Sequence, residues 1–257
     1  MKSVAIFFYW VLKRRYRVSI KGLDLLKKSG SKLILPNHPA HIDPQLLSAL
    51  VRQHCDFVPI VSERFAKTPI ISFFMKQQNA VAVSDLKYGK RDPHVLKTIV
   101  EGVVDAFEHD RSVILYPAGG IKHTPIEIIK NKQSVHYLVR NLPDDVSVLG
   151  VRINGLWGSM WSVAWYGERP KFLWCVVKGF FYLFANFIFL VPKRDVHIEF
   201  VDITAEIKTN ASLDRRSFNM TLEEFYNING PEEVLYLRHY FFAPKLRREY
   251  PSNLGGY

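Results

Sequence analysis

The chain has 257 residues, and its 35 lysine and arginine residues against 24 aspartate and glutamate residues give a formal net charge of +11. This length suffices for a large hydrophobic core, while two cysteines and 48% hydrophobic residues exclude a disulfide framework, a cysteine-rich zinc site and a disordered chain. The excess of positive charge predicts an anionic partner, which leaves nucleic acid, a phosphorylated substrate and an anionic membrane surface as alternatives.

An apolar run from Val4 to Leu12 opens the chain and leads directly into four basic residues, Lys13, Arg14, Arg15 and Arg17. The run is too short to span a bilayer, which takes about 20 apolar residues. It also has its charges on the wrong side for a signal peptide. We therefore predict a membrane-interfacial helix over residues 1–20 with a basic flank. An ordinary buried N-terminal helix is the alternative.

Residues 21–211 are predicted to form the main domain, in which apolar runs typical of strands alternate with helical patterns. The predicted strands are Lys32–Pro36, Asp56–Val61, Ala80–Val83, Ser112–Tyr116, Val146–Ile153 and Val196–Val201, and the predicted helices are Gln45–Gln53, Pro69–Gln77, Pro93–Glu108 and Val135–Arg140. The alternation indicates an α/β fold with a central, mostly parallel sheet flanked by helices. Ligands of such folds bind at the carboxyl ends of the strands.

The segment from Phe172 to Pro192 is as long as a membrane span, but Lys178 and Asn186 interrupt it. A central lysine costs about 3 kcal/mol on insertion scales, so a true span is disfavoured. Shallow immersion in a membrane or a place along a groove for an apolar chain stands beside burial against the sheet. Residues 212–257 are predicted to be a C-terminal helical extension, with helices starting near Thr221 and covering Glu232–Phe242.

Two loops that follow predicted strands carry the candidate chemistry. In the first, Asn37 to Asp43, His38 can take a proton from a hydroxyl, and Asp43 can reach back to orient the ring. His41 competes for the role of base. A zinc site made by His38, His41 and Asp43 is a further alternative, although it needs one more ligand from a distant part of the chain.

The sequence NHPAHID, from Asn37 to Asp43, resembles the Asn-His-x-x-x-x-Asp signature of glycerolipid acyltransferases, the family of 1-acylglycerol-3-phosphate acyltransferases and related lysophospholipid acyltransferases. Three more segments resemble the family's later blocks: NAVAVSD at Asn79 to Asp85, YPAGG at Tyr116 to Gly120, and VLGVRI at Val148 to Ile153. The segments GLWGS, from Gly155, and ANFIFLVPKRDVHIEF, from Ala185, resemble acyltransferase domains fused to acyl-activating ligases.

The resemblance implies a glycerol-phosphate-acyltransferase-like fold and a membrane-associated O-acyltransferase. Its expected substrates are a lysophospholipid or related lysolipid acceptor and an acyl thioester of coenzyme A or acyl carrier protein. It implies His38 as general base and Asp43 as its orienting residue, with neither metal nor cofactor. The expected location is the cytoplasmic face of a membrane, bound peripherally or monotopically, and no nucleic-acid-binding motif is found.

The chain departs from the family pattern at positions that bind the acceptor phosphate in the family. Ala118 replaces a glutamate, Asp85 stands where an arginine is common, and the arginine that follows the third block is missing. A headgroup other than a bare phosphate is therefore favoured, and Lys90 is one further candidate cation. The expected substrate-binding residues are Asn37, Lys87, Arg91, Pro117, Gly119, Gly120, Lys122 and Arg152. A catalytically weak relative that binds lipid or a partner without turnover is the alternative function.

Overall fold

The structure is a computed structural model that describes residues 2–62, 80–83 and 93–254. In chain order, its helices and strands are α1 (Lys2–Arg15), β1 (Tyr16–Lys21), β2 (Lys32–Pro36), α2 (Asp43–Val51), β3 (Phe57–Ser62), β4 (Val81–Val83), α3 (Pro93–Glu108), β5 (Ser112–Ile114), α4 (Ser134–Arg140), β6 (Ser147–Asn154), α5 (Val163–Tyr166), α6 (Phe172–Ala185), β7 (Arg194–Asp202), α7 (Thr204–Asn210) and α8 (Arg215–Tyr226). The helix expected over Pro69–Gln77 lies outside the described residues.

The described strands form one seven-stranded sheet in the order β1-β7-β6-β2-β5-β3-β4. The strands β6, β2, β5, β3 and β4 run parallel to their neighbours, whereas β7 is antiparallel to β6 and carries β1 parallel to itself. The predicted α/β architecture with a mostly parallel sheet is confirmed.

Helices cover both faces of the sheet, which explains why β2 is buried throughout its length. Side chains alternate along a strand, so Leu33 and Leu35 pack on one face with α3, α4, α7 and α8, while Ile34 packs on the other with α1, α2 and the start of α6. Two apolar cores therefore hold β2 in the centre and fix the position of the loop that follows it.

The N-terminal helix is shorter than the expected range of 1–20, because it ends at Arg15 and Tyr16–Lys21 pairs with β7 as an edge strand. Arg17 then forms an ion pair with Asp195 on that neighbouring strand. Among the described residues, no helix combines the length and the hydrophobicity that crossing a bilayer requires.

The C-terminal extension is less helical than expected. The helix expected near Thr221 begins earlier, at Arg215, because the Asp214 side chain caps it by accepting from the N–H groups of Arg216 and Ser217. The helix expected over Glu232–Phe242 is wrong, since this segment has no regular secondary structure. Buried Arg194 holds it instead, by donating to the Leu235 carbonyl as well as to those of Gly155 and Gly158.

Candidate active site

The loops after β2 and β5 meet at one edge of the sheet, because these strands are parallel neighbours. The backbone N–H of Lys122 donates to the His38 carbonyl at 2.8 Å and joins the two loops. The His38 ring packs on the ring of Tyr116, with 4.4 Å between the ring centroids. The expected meeting of the two loops at the carboxyl ends of their strands is therefore present.

His38 and Asp43 form the hydrogen-bonded pair that the spacing predicts. The Nδ1 atom of His38 lies 3.0 Å from Oδ2 of Asp43, and the side chains are 13% and 0% exposed. The same carboxylate oxygen accepts from the N–H of Ala40 at 2.9 Å, which closes the loop around the pair. A buried carboxylate on Nδ1 leaves Nε2 as the nitrogen that can take up a proton.

The start of helix α2 determines where the Asp43 side chain lies. Ile42 is the N-cap residue, and Asp43 is the first helical residue, followed by Pro44. Its side chain consequently turns away from the helix N–H groups and toward the loop, where it contacts His38 and Ala40. The sequence pair Asp-Pro thus fixes the start of the helix, while the carboxylate serves the histidine.

Glu127 is a buried carboxylate beside His38 that the sequence alone did not single out. Its Oε2 accepts from the backbone N–H of His38 at 3.1 Å, and the residue is 3% exposed. Burial raises the pKa of this carboxyl to about 7, against lowering contributions from the His38 N–H and the charges of Lys122 and His38. Asn227 clamps the Glu127 backbone by bonding both its N–H and its carbonyl. The sequence alone could not identify Glu127, because its contact with His38 joins residues that are 89 positions apart.

Three of the expected substrate-binding residues have internal partners. Asn37 bonds both the N–H and the carbonyl of Ile153 and so ties the end of β2 to β6. Lys122 is buried in an ion pair with Glu232, 2.6 Å from Nζ to Oε2. Arg152 pairs with Glu199 on the neighbouring strand at 2.8 Å. Their side chains are thereby engaged within the protein, and a role in substrate binding stays a prediction.

The turn after Tyr116 holds the other expected residues that the structure describes. Pro117 is buried, Gly119 is exposed with a positive φ of 67°, and Gly120 is half-buried. Arg169, which the sequence alone did not single out, packs on this turn: a methyl group placed on Gly120 would lie 2.8 Å from Nη2 of Arg169. The remaining candidates Lys87, Lys90 and Arg91 lie outside the described residues, as does Asp85.

His41, the competing candidate base, has a different environment from His38. Burial lowers the pKa of its ring to about 4, with smaller contributions from the positive charges of His38 and Arg169. The ring hydrogen-bonds the backbone of Pro170 and packs edge-on against Phe172. In the part of the chain that the structure describes, no three His, Cys, Asp or Glu side chains converge as metal ligands. His38, His41 and Asp43 are thus not arranged as a set of zinc ligands.

Comparisons with known proteins agree with this geometry. The fold is similar to the crystal structure of the 1-acyl-sn-glycerophosphate (LPA) acyltransferase PlsC from Thermotoga maritima, with a TM-score of 0.52 and 18% sequence identity over 86% of this chain and 73% of that chain. A comparison with curated protein sequences finds no match. The family model described as "Acyltransferase" matches residues 17–154, which include β2, His38, Asp43 and the turn after Tyr116. Since this match covers more than half of the chain, the chain belongs to the acyltransferase family.

Proposed function

We propose that the protein transfers an acyl chain from an acyl thioester to the hydroxyl of a lysophospholipid or related lysolipid, with His38 as the general base. The observation that carries the proposal is the hydrogen bond from His38 Nδ1 to the buried Asp43 carboxylate. Nε2 takes the hydroxyl proton as the oxygen attacks the thioester carbonyl. The C–S bond then breaks, and the leaving thiolate takes the proton back from the imidazolium.

Asp43 and Glu127 support this role electrostatically. The Asp43 carboxylate orients the ring and stabilises the imidazolium that forms during attack. The Glu127 carboxyl accepts a hydrogen bond from the backbone N–H of His38. When Glu127 is ionised, its negative charge favours the His38 imidazolium. A carboxylate therefore lies next to His38 in this chain, although Ala118 replaces the glutamate that the family has at that position.

The acyl donor and the acceptor are identified by an assay with the purified protein. Radiolabelled acyl-CoA and acyl carrier protein thioester are each offered with a panel of lysolipids that differ in headgroup. We expect transfer to at least one lysolipid and release of one thiol for each acyl chain moved. Lipid binding without transfer to any acceptor would favour the alternative, a non-catalytic lipid-binding member of the family.

We further propose that the protein works at the cytoplasmic face of a membrane through an apolar patch on α1 and α6. Nine large apolar side chains from α6 and the turn after it are exposed, several by more than half. The patch consists of Ile6, Phe7, Trp10, Leu173, Trp174, Val177, Phe180, Phe181, Phe184, Phe187, Phe189 and Leu190. Exposed aromatic surface of this extent marks an interaction site, and aromatic side chains favour the membrane interface.

The backbone conformation of the turn after α6 leaves its aromatic side chains exposed. Phe187 and Ile188 both have positive φ, 52° and 62°, a conformation that non-glycine residues avoid. This backbone leaves Phe187 72% and Phe189 68% exposed. Strained conformations persist where function requires them, which supports a role for the turn in lipid contact.

Basic side chains border the patch and suit an anionic bilayer. The Arg14 guanidinium lies 4.4 Å from the Trp10 ring and 5.3 Å from the Phe189 ring, so it joins α1 to the turn after α6. Lys178 lies 5.6 Å from the ring of Trp174 and can extend toward lipid phosphates. Arg15 instead donates to the Pro192 carbonyl, and Arg17 pairs with Asp195, so the basic flank available to lipid is Lys13 and Arg14.

Membrane binding is tested by co-sedimentation with phosphatidylcholine vesicles that contain or lack phosphatidylglycerol. We expect the double variant Phe184→Glu/Phe189→Glu to bind either vesicle at least tenfold more weakly, since each buried phenylalanine contributes about 1.5–3 kcal/mol. Ile228→Glu, at an equally exposed site outside the patch, is the matched control and should bind as wild type. Neutralising Lys13 and Arg14 should weaken binding only to the anionic vesicles. Unchanged binding of both variants would contradict the proposal.

A further inference from the structure

Two cations border the Gly119–Gly120 turn, and neither lies in a segment that resembles the family blocks. Arg169 comes from the loop between α5 and α6, and its Nη2 would lie 2.8 Å from a methyl group on Gly120. Lys132 comes from the chain before α4, and its Nζ would lie 3.9 Å from a methyl group on Gly119. The absence of a side chain on Gly120 therefore makes the room that the Arg169 guanidinium occupies, while the Lys132 ammonium lies at contact distance from Gly119.

Arg169 is exposed and has no ion-pair partner among the described residues, in contrast to Lys122 and Arg152. Within the described residues, its guanidinium has neither a hydrogen-bond nor an ion-pair partner. Its positive field also reaches the active-site loop, where it helps to lower the pKa of His41, although burial is the larger cause. Burial, followed by the charge of Arg169, also lowers the pKa of His123, which follows the turn.

The position of the turn relative to His38 is fixed by backbone contacts. Gly119 donates to the Tyr116 carbonyl, and Lys122 donates to the His38 carbonyl. An anion held on this turn is consequently kept next to the proposed base.

We propose that Arg169, together with Lys132 and the Gly119–Gly120 turn, binds a phosphate group of a substrate and positions the acceptor hydroxyl or the thioester at His38. This inference rests on the proposed acyl transfer and names the phosphate-binding residue for it. A guanidinium presents two parallel N–H donors to a phosphate, and glycine lets the phosphate approach the backbone. Both the lysolipid headgroup and the acyl carrier contain phosphate, so the test separates them.

The binding experiment uses no acyl donor and is therefore independent of catalysis. A short-chain lysophospholipid and a monoacylglycerol of the same chain length are titrated into wild type, Arg169→Ala and Arg169→Lys. We expect alanine to weaken lysophospholipid binding about tenfold or more, lysine to restore part of it, and monoacylglycerol binding to stay unchanged. Arg216→Ala, at an exposed arginine on α8, is the control and should bind as wild type.

A parallel titration with coenzyme A identifies the other source of phosphate. Weaker binding of coenzyme A alone by Arg169→Ala assigns the site to the carrier, and weaker lysophospholipid binding alone assigns it to the acceptor. Gly120→Ala should reproduce the Arg169→Ala effect, because its methyl group displaces the flexible guanidinium, and should add little in the double variant. Unchanged binding of both phosphate ligands by Arg169→Ala would overturn the proposal. Arginine-dependent binding without acyl transfer would instead refute the proposed function and keep this site.

Discussion

Replacing the buried Glu127 with glutamine changes how the stability of the protein depends on pH. The folded carboxyl has a pKa of about 7, chiefly because it is buried, against an ordinary value of 4.5. Between these values the unfolded carboxyl has lost its proton while the folded one keeps it. The free energy of unfolding therefore falls as pH rises through this range, by about 3 kcal/mol in total at about 1.4 kcal/mol per pH unit.

The assay is urea unfolding of wild type and Glu127→Gln between pH 4.5 and pH 8. Subtracting the two curves removes the titration of every group that does not interact with Glu127, so the difference reports the ionisation of Glu127 and its coupling to the neighbouring charges. Glutamine can still accept from the His38 N–H and stays neutral at every pH. We expect the stability of the variant relative to wild type to rise with pH by about 3 kcal/mol and to level off above pH 8.

The control is Glu224→Gln, which makes the same substitution at an exposed position of α8 and is measured over the same pH range. A Glu127→Gln difference that is flat from pH 4.5 to pH 8 would show that Glu127 ionises normally in the folded protein. That result would refute the conclusion that an ionised Glu127 beside His38 is held there at a cost in stability.

Three further changes test other parts of the structure. Asp43→Asn should lower kcat about 100-fold or more, because the amide keeps the loop contacts but loses the charge that favours the imidazolium. The circular dichroism spectrum should stay unchanged, and a wild-type kcat would contradict this role of Asp43. Arg194→Met should lower the free energy of unfolding in urea by about 3 kcal/mol, because it leaves the carbonyls of Gly155, Gly158 and Leu235 without their donor. Proteolysis of the C-terminal segment should increase as well. A loss below about 1 kcal/mol would show that Arg194 does not hold this segment. Gly22→Ala should lower Tm more than Gly230→Ala. Both glycines have a positive φ, but only at Gly22 would the new methyl group lie 2.2 Å from a carbonyl oxygen, that of Phe200. Equal losses of Tm would refute this close approach as the cause.

Local patterns in the sequence were sufficient to predict the central strands and the His38–Asp43 pair. The run KLILP has to be buried, and Asp-Pro has to begin a helix, so their joining loop is short and its geometry is limited. The edge strand Tyr16–Lys21 escaped prediction because its exposed side carries Arg17 and Lys21, which read as a continuation of the basic flank. A strand at an edge needs only one apolar face.

Contacts between distant parts of the chain could not be predicted in this way. The aromatic and apolar residues of Glu232–Phe242 match a helical pattern, but their backbone is bonded to Arg194 and Asn186, more than forty positions earlier. The contacts of Glu127 and Arg169 at the active site also depend on where other loops cross it. No motif or pattern in the residues around Glu127 or Arg169 indicates their role.

The measurement that tests the central claim most directly is acyl transfer by His38→Ala and His41→Ala beside wild type. Each purified variant is given radiolabelled acyl-CoA or acyl carrier protein thioester and the lysolipid that wild type accepts. We predict that His38→Ala abolishes transfer while lysolipid binding persists, and that His41→Ala retains transfer because its ring is bonded to Pro170. Transfer by His38→Ala at the wild-type rate, or its loss in His41→Ala alone, would contradict the assignment of His38 as the general base.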